Sequence, residues 1–277
     1  MNLALINKFS VDPRFFQLFN NIVLMVCGYF FLNFRRDFTY LLPVFILGIF
    51  LDWSLSRFLS SQRKLRSVPD RMISILNTIV SIITIIKFDS NHFYVLVILV
   101  SILSKYLVVD ENKNHIFNPA NFGIIFALLF VNTIPLRIIY NQFAGLSIYL
   151  YYFLILNGFL ITIFARRIIL AFSFLISSIV LFAALSPFWG FPSTFLLGPT
   201  FSFSGMLFTF FMITDPKTTP DTFLGQILFG FLIGSISFVL RVNQYVHDMF
   251  FALFVTTALY KFYLHFFNYK VLTFKKS

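Results

Sequence analysis

The chain has 277 residues, of which 59% are hydrophobic and 11% charged, and its mean hydropathy is +0.88. Soluble globular proteins carry about 25% charged residues, so the composition excludes an ordinary soluble protein and predicts a single transmembrane domain over residues 1–277. The net charge of +11 would suit a nucleic-acid partner in a soluble protein. Here the basic residues lie in loops, where they set orientation and contact membrane lipid, so no nucleic acid is expected.

Apolar stretches of the length that a membrane-spanning helix requires follow one another along the chain. They predict an all-α, polytopic membrane protein with about ten transmembrane helices and two short tails, residues 1–14 and the basic residues 266–277. Ten helices also allow an arrangement as two inverted five-helix halves. The predicted spans are 15–33, 38–59, 72–88, 92–109, 119–135, 146–164, 168–186, 196–213, 222–240 and 246–265.

The Lys and Arg residues divide unevenly between the two sides of these predicted spans. Sixteen of the 21 fall on the side that carries both termini. Because cytoplasmic loops are enriched in Lys and Arg, both termini are predicted to be cytoplasmic.

Two polar strings interrupt the apolar sequence, H-I-F-N-P-A-N-F-G at residues 115–123 and F-M-I-T-D-P-K-T-T-P-D at residues 211–221. Asn118-Pro119 is typical of a helix start, since Asn caps first-turn N–H groups and proline at the first helical position loses no hydrogen bond. Thr219-Pro220-Asp221 predicts a second helix start, and Thr214-Asp215-Pro216 predicts a helix end and a turn. The distribution of basic residues puts both strings on the cytoplasmic side.

These strings allow two interpretations. In the structural one they are helix starts and a turn, with no further role. In the functional one, the N–H groups and partial positive charge of two helix N-termini hold an anionic cofactor or substrate, with Lys105 and Lys217 on the same side of the membrane. The functional interpretation predicts a binding site that contains Asn118, Pro119, Asn121, Thr214, Asp215, Pro216 and Thr218.

A few polar or small residues stand out elsewhere in the chain. Asp52 lies within a predicted span, where an acid is a candidate for an ion or transport path, and Arg57 is its expected partner. Gly230 and Gly234 form a G-x-x-x-G pattern that predicts close helix packing. His247-Asp248 is interpreted as a hydrated helix start. The single cysteine and the four scattered histidines predict no metal site.

The second string and its neighbours resemble a known family. In G-P-T-F-S-F-S-G-M-L-F-T-F-F-M-I-T-D-P-K-T-T-P-D-T-F-L-G-Q-I-L-F-G-F-L-I-G, residues 198–234, a glycine-bearing helix precedes M-x-T-D-P-x-x-x-P and a glycine-rich helix, which ends near Arg241. This order is similar to the late helices of the RnfD/NqrB family, membrane subunits of the Rnf and sodium-pumping NADH:quinone oxidoreductase complexes. F-N-P-A-N-F-G matches another family segment, and S-K-Y-L…H-I-F-N-P-A-N-F-G from Ser104 resembles the compact UnbU-like branch.

The resemblance implies an integral membrane subunit in electron transport, located in the bacterial cytoplasmic (inner) membrane beside other electron-transport subunits. Coupling to ion transport is left open. In the family, a threonine in an S-G-A-T string carries FMN through a phosphoester bond. Here Ser204-Gly205 is followed by Met206 and Leu207, which argues against covalent FMN and leaves a non-covalent flavin, FMN or riboflavin, as the expected cofactor.

The sequence contains no self-contained catalytic motif, so catalytic residues are not assigned. Any demanding chemistry must come from a cofactor or a partner. The alternative function is a small-solute or ion transporter without a redox step, favoured by Asp52 and by the two-fold arrangement that ten helices allow.

Overall fold

The computed structural model describes residues 13–31, 38–59, 68–86, 88, 92–110, 114–130 and 148–274. Extended pairing within these ranges is limited to one isolated bridge between Val109 and His115, which confirms the all-α class for them. The helices are α1 (Pro13–Phe31), α2 (Phe38–Leu59), α3 (Val68–Ile85), α4 (His92–Leu107), α5 (Pro119–Phe130), α6 (Ile148–Phe164), α7 (Ile168–Trp189), α8 (Ser193–Phe201), α9 (Phe203–Leu207), α10 (Phe223–Val242) and α11 (Asp248–Phe274).

Five of the described helices, α2, α3, α7, α10 and α11, are long and apolar enough to cross a membrane. A bent pair of helices that begins with α8 adds a sixth candidate, and α4, α5 and α6 are apolar but shorter. The chain is therefore an all-α membrane protein. Ten crossings, inverted halves and cytoplasmic termini stay predictions, since residues 1–12, 60–67 and 275–277, which contribute to the count of basic residues, lie outside the described part.

The predicted continuous helix at 196–213 is wrong, because the chain bends by 54° at Ser202. Pro199, inside α8, has no N–H with which to continue the helical hydrogen bonds. The Ser202 hydroxyl donates to the Pro199 carbonyl (2.7 Å) and accepts from the Gly205 amide (3.1 Å). Ser202 thus closes one helix and caps the next, and a π-helical turn, Phe208–Met212, follows α9.

Among the described helices, α7 and α10 pack most extensively, and two glycines allow their close approach. A Cβ atom on Gly230 would lie 2.8 Å from the Leu170 carbonyl oxygen and 2.9 Å from the Phe174 amide nitrogen, and one on Gly234 would overlap the Ser177 hydroxyl. The Ser173 hydroxyl donates to the Ile227 carbonyl (2.7 Å) across the same interface. The G-x-x-x-G packing prediction is confirmed.

Gly230→Ala is expected to lower the unfolding midpoint of the detergent-purified protein, because the added methyl group meets backbone atoms of α7 that cannot move cheaply. Overpacking of this kind destabilises by about 1–3 kcal/mol. The matched control is Gly198→Ala in α8, where a Cβ atom has no neighbour within 4 Å and alanine favours the helix. Equal thermal midpoints for the two variants would contradict the packing argument.

Candidate functional site

A cavity of about 380 Å³ opens at one end of the helix bundle. Its walls come from the start of α1, the middle of α3, the last turn of α4, the start of α5, the end of α6 and the loop after the π-helical turn. The lining residues are Arg14, Gln17, Ser74, Asn77, Thr78, Ser81, Lys105, His115, Asn118, Pro119, Ala120, Ile161, Ala165, Phe211, Thr214, Asp215, Pro216 and Lys217.

The two polar strings meet in this cavity. His115 Nε2, from the first string, lies 3.4 Å from Asp215 Oδ2, from the second. The loop that carries His115 is held by the Val109–His115 bridge and by the Asp110 amide, which donates to the Asn114 carbonyl (2.8 Å). Segments about a hundred residues apart in sequence therefore form one polar site.

The first string starts α5 as predicted. Asn118 Oδ1 accepts from the backbone amides of Ala120 (3.0 Å) and Asn121 (3.2 Å), and Pro119 occupies the first helical position. The Asn118 side chain already accepts from these first-turn N–H groups, so the helix end is not the main source of positive charge in the cavity. The positive charge comes from the basic side chains that line it.

The second string forms the predicted turn, but not the predicted helix start. Asp215 Oδ1 accepts from the Lys217 amide (3.1 Å), and its carbonyl accepts from the Thr218 amide (3.2 Å) and the Thr219 hydroxyl (2.7 Å). The N-cap of α10 is Thr222, whose hydroxyl accepts from the Gly225 amide (3.1 Å). The expected cap at Thr219-Pro220-Asp221 is therefore wrong, and the residues that line the cavity do not include the start of α10.

Arg167 explains why α10 starts later than predicted, because its side chain binds Thr219 and Asp221, which were expected to form the helix start. Its guanidinium donates to the Thr219 hydroxyl (2.9 Å), the Pro216 carbonyl (3.1 Å) and the Asp221 carboxylate. Arg167 is 3% exposed and its hydrogen bond to Thr219 is buried, whereas its bond to Asp221 reaches the protein surface. These hydrogen bonds hold the loop that carries Asp215 against the start of α7.

Arg167→Met is expected to destabilise the protein by about 2–3 kcal/mol, since hydrogen bonds to a charged group contribute about 1.5–3 kcal/mol each and only part of that loss is recovered by new packing. The control is Asp221→Asn, which alters only the one partner whose side chain is 88% exposed and should cost below about 1 kcal/mol. Thermal midpoints measure both variants. A larger loss in Asp221→Asn would show that Arg167 does not organise this loop.

Burial and charge set the ionisation of the His115–Asp215 pair. Burial lowers the pKa of His115 below 6.5 and outweighs the opposing hydrogen bond and charge of Asp215. Burial also works to raise the pKa of Asp215, but the hydrogen bond and charge of His115, with Lys217, bring it down to about 2. Because an ionised carboxylate only accepts hydrogen bonds, the neutral imidazole carries its proton on Nε2. At neutral pH the cavity therefore holds a carboxylate and an uncharged imidazole.

Asp215→Asn is expected to lower the pKa of His115 further, because the carboxylate supplies both contributions that raise it. The asparagine oxygen can still accept the Lys217 amide, so the turn has a substitute partner. NMR titration of histidine-labelled protein measures the shift, and His115→Gln assigns the resonance among the four histidines. A raised pKa in Asp215→Asn would contradict the assigned pairing.

Five of the seven predicted binding residues line the cavity: Asn118, Pro119, Thr214, Asp215 and Pro216. The other two lie behind its wall. Asn121 is buried and donates to the Phe250 carbonyl (3.3 Å), and the Thr218 hydroxyl donates to the Asp215 carbonyl (3.3 Å). Whether any of the seven binds a cofactor stays a prediction.

Asp52 does not line this cavity. Its carboxylate is buried and pairs with Arg71 (3.3 Å), so the expected pairing with Arg57 is wrong. The Arg57 guanidinium instead lies over the Trp53 ring, 4.6 Å from the ring centre. The helix geometry explains the difference, since Arg71 reaches Asp52 from the facing helix α3. Within the described ranges, no group of three or more His, Cys, Asp or Glu side chains could hold a metal ion.

One wall of the cavity is formed by α3, and the sequence analysis did not predict it. Ser74, Asn77, Thr78 and Ser81 recur at helical spacing, which places them on one face of an apolar helix, and this periodicity was the available signal. Asn77 donates to the Arg14 carbonyl (2.8 Å), and Asn77 Oδ1 is buried with no hydrogen-bond partner among the described residues.

A second charged cluster lies at the opposite end of α10. Arg241 donates to Asp248 through Nε (3.2 Å) and Nη2 (2.7 Å), and through Nη1 to the Leu196 carbonyl and the Thr200 hydroxyl (2.9 Å). Asp248 is 2% exposed. The interpretation of this helix start as hydrated is therefore wrong, because Arg241 replaces water as the partner of the carboxylate.

Known proteins resemble this chain only in part. No curated protein matches the chain. Residues 137–271 match the model of the NQR2, RnfD, RnfE family. This match includes the T-D-P string and Arg241, while the N-P-A string lies before it. The chain is thus similar to the NQR2, RnfD, RnfE family over just under half of its length, from α6 to α11.

Proposed function

We propose that the chain is an integral membrane subunit of the NQR2, RnfD, RnfE family, from its UnbU-like branch. It takes part in electron transport, with coupling to ion transport, in the bacterial cytoplasmic membrane beside other electron-transport subunits. The observation that carries the proposal is the cavity in which the T-D-P and N-P-A strings, both similar to family motifs, come together. The proposed cofactor in this cavity is a non-covalently bound flavin, FMN or riboflavin.

The residues of the cavity fit such a group in size and in chemistry. Its volume of about 380 Å³ lies within the range of about 300–1,000 Å³ that is usual for small-molecule sites. A flavin has ring N–H and ribityl O–H donors, and the buried Asn77 Oδ1 has no donor among the described residues. Phe211, Pro119 and Ile161 supply apolar surface for the flat face of a ring.

A bound flavin would supply the electron transfer, and the protein residues would bind and orient it. Gln17 donates to the Phe211 carbonyl (3.1 Å). This hydrogen bond joins α1 to the π-helical turn, and both residues line the cavity. The pair Ser204-Gly205, which Met206 and Leu207 follow in place of Ala and Thr, is buried in α9. The proposal therefore specifies non-covalent binding.

The test is the flavin content of the purified protein. Absorption spectra before and after acid precipitation should show a flavin band that passes into the supernatant. Asn77→Leu is expected to reduce bound flavin at least about tenfold, because it removes a buried hydrogen-bond acceptor worth about 1.4 kcal/mol and fills part of the cavity.

The matched control is Asn157→Leu. The Asn157 side chain donates within its own helix, to the Phe153 carbonyl (3.0 Å), and it does not line the cavity. It should retain wild-type flavin content. A colourless protein that binds neither added FMN nor added riboflavin would contradict the proposed function, whereas equal loss in both variants would contradict the choice of cavity.

A further inference from the structure

A second cavity, of about 20 Å³, adjoins the large one and lies deeper in the helix bundle. Arg14 lines the large cavity, and Asn21, which lines the small one, lies about 10 Å further along α1 at a rise of about 1.5 Å per residue. The residues that line both cavities are Gln17, Ser81, Asn118, Ala120 and Phe211, and those that line only the small cavity are Asn21, Ile85, Leu207 and Met212.

Four polar side chains line the small cavity, and each is held by a hydrogen bond of its own. The Asn21 amide donates to the Ser81 hydroxyl (3.0 Å), and the two residues are 3% and 9% exposed. Gln17 donates to the Phe211 carbonyl (3.1 Å). The Asn118 amide oxygen accepts from two first-turn N–H groups of α5. These side chains therefore have fixed positions on α1, α3 and the start of α5.

Each of the four keeps one hydrogen-bonding group for which the described residues supply no partner. The amide oxygens of Gln17 and Asn21 accept no hydrogen bond from them. The Ser81 hydroxyl and the Asn118 NH₂ group donate none to them. Two acceptors and two donors thus remain around one small space, where a buried polar group without a partner costs about 1–3 kcal/mol.

A single water molecule matches this set of groups, since it accepts two hydrogen bonds and donates two. A cavity of about 10–15 Å³ is enough for one water molecule when two to four polar partners surround it, and both conditions are met here. A metal cation is a poorer match, because it binds lone pairs and the Asn118 NH₂ group has none to offer. The small cavity is therefore suited to a neutral molecule that both donates and accepts.

We propose that the small cavity binds one water molecule, which bridges α1, α3 and α5 and extends the polar interior beyond the large cavity. The water exchanges with the large cavity past Gln17 and Ser81, which line both. The site is separate from the one proposed for flavin, because Asn21 and Met212 line only the small cavity. Solvent then forms part of the contact between these three helices.

X-ray radiolysis tests the proposal with a reporter that the chain already contains. Radiolysis forms hydroxyl radicals from water molecules where they are bound, and a methionine beside them is oxidised to the sulfoxide. Met212 lines the small cavity, whereas Met206 lines neither cavity, and both are 3% exposed. In the purified wild-type protein, mass spectrometry is expected to show several-fold faster oxidation of Met212 than of Met206. Equal rates would show a dry cavity and overturn the proposal.

Asn21→Leu removes one acceptor and fills part of the small cavity, so it should lower the oxidation rate of Met212 to that of Met206. Ser81→Val, which removes a donor and also adds volume, should do the same and serves if Asn21→Leu does not fold. The matched control is Asn157→Leu, which makes the same substitution in α6, outside both linings, and should keep the wild-type rate.

Two further results would overturn the water assignment. One is unchanged Met212 oxidation in a variant whose thermal midpoint shows that it is folded. The other is a fall in Met212 oxidation of the wild type when sodium chloride replaces choline chloride, which would assign the small cavity to a cation. A rate that is the same in both salts would support the proposal.

Discussion

An unpaired backbone N–H or carbonyl costs several kcal/mol in the hydrocarbon core of a membrane, and this cost limits where a membrane chain can leave the helical conformation. Three irregular segments in the described part of the chain meet the requirement with a side chain. Ser202 satisfies Pro199 and Gly205 at the helix break, Gln17 donates to the Phe211 carbonyl in the π-helical turn, and Arg167 donates to the Pro216 carbonyl in the following loop. The polar strings are therefore possible because specific side chains replace water around them.

Side-chain hydrogen bonds of this kind also shape the cavity. The loop that carries Asp215 is fixed on one side by Arg167 and on the other by His115, while Asn118 closes the start of α5 beside it. Polar side chains of α3 line the same cavity. A polar chamber thus forms where the ends of several helices meet beside the middle of α3, and its walls come from different parts of the chain.

Local patterns predicted the local features of this structure. Capping chemistry predicted Asn118-Pro119, and the turn at Asp215 followed from its proline and threonine neighbours. The features that were missed depend on contacts between distant residues. Asp52 pairs with Arg71 on another helix, and Arg167 takes up Thr219 and Asp221 and so moves the start of α10. No periodicity along the chain specifies which helix faces which, so these pairings could not be predicted from spacing.

The helix break at Ser202 divides a candidate span whose two halves differ in most of their contacts. On one side, α8 packs against α7 and α10 and is held by Arg241, whose guanidinium also binds Asp248 of α11. On the other side, α9 and the π-helical turn pack against α6 and lead into the cavity. The halves also share neighbours, since Phe174 of α7 contacts Phe208 of the π-helical turn and the Tyr151 hydroxyl of α6 donates to the Phe201 carbonyl of α8 (2.7 Å). Because the Ser202 hydroxyl bonds to a residue on each side of the break, any change in the angle between α8 and α9 has to alter its hydrogen bonds.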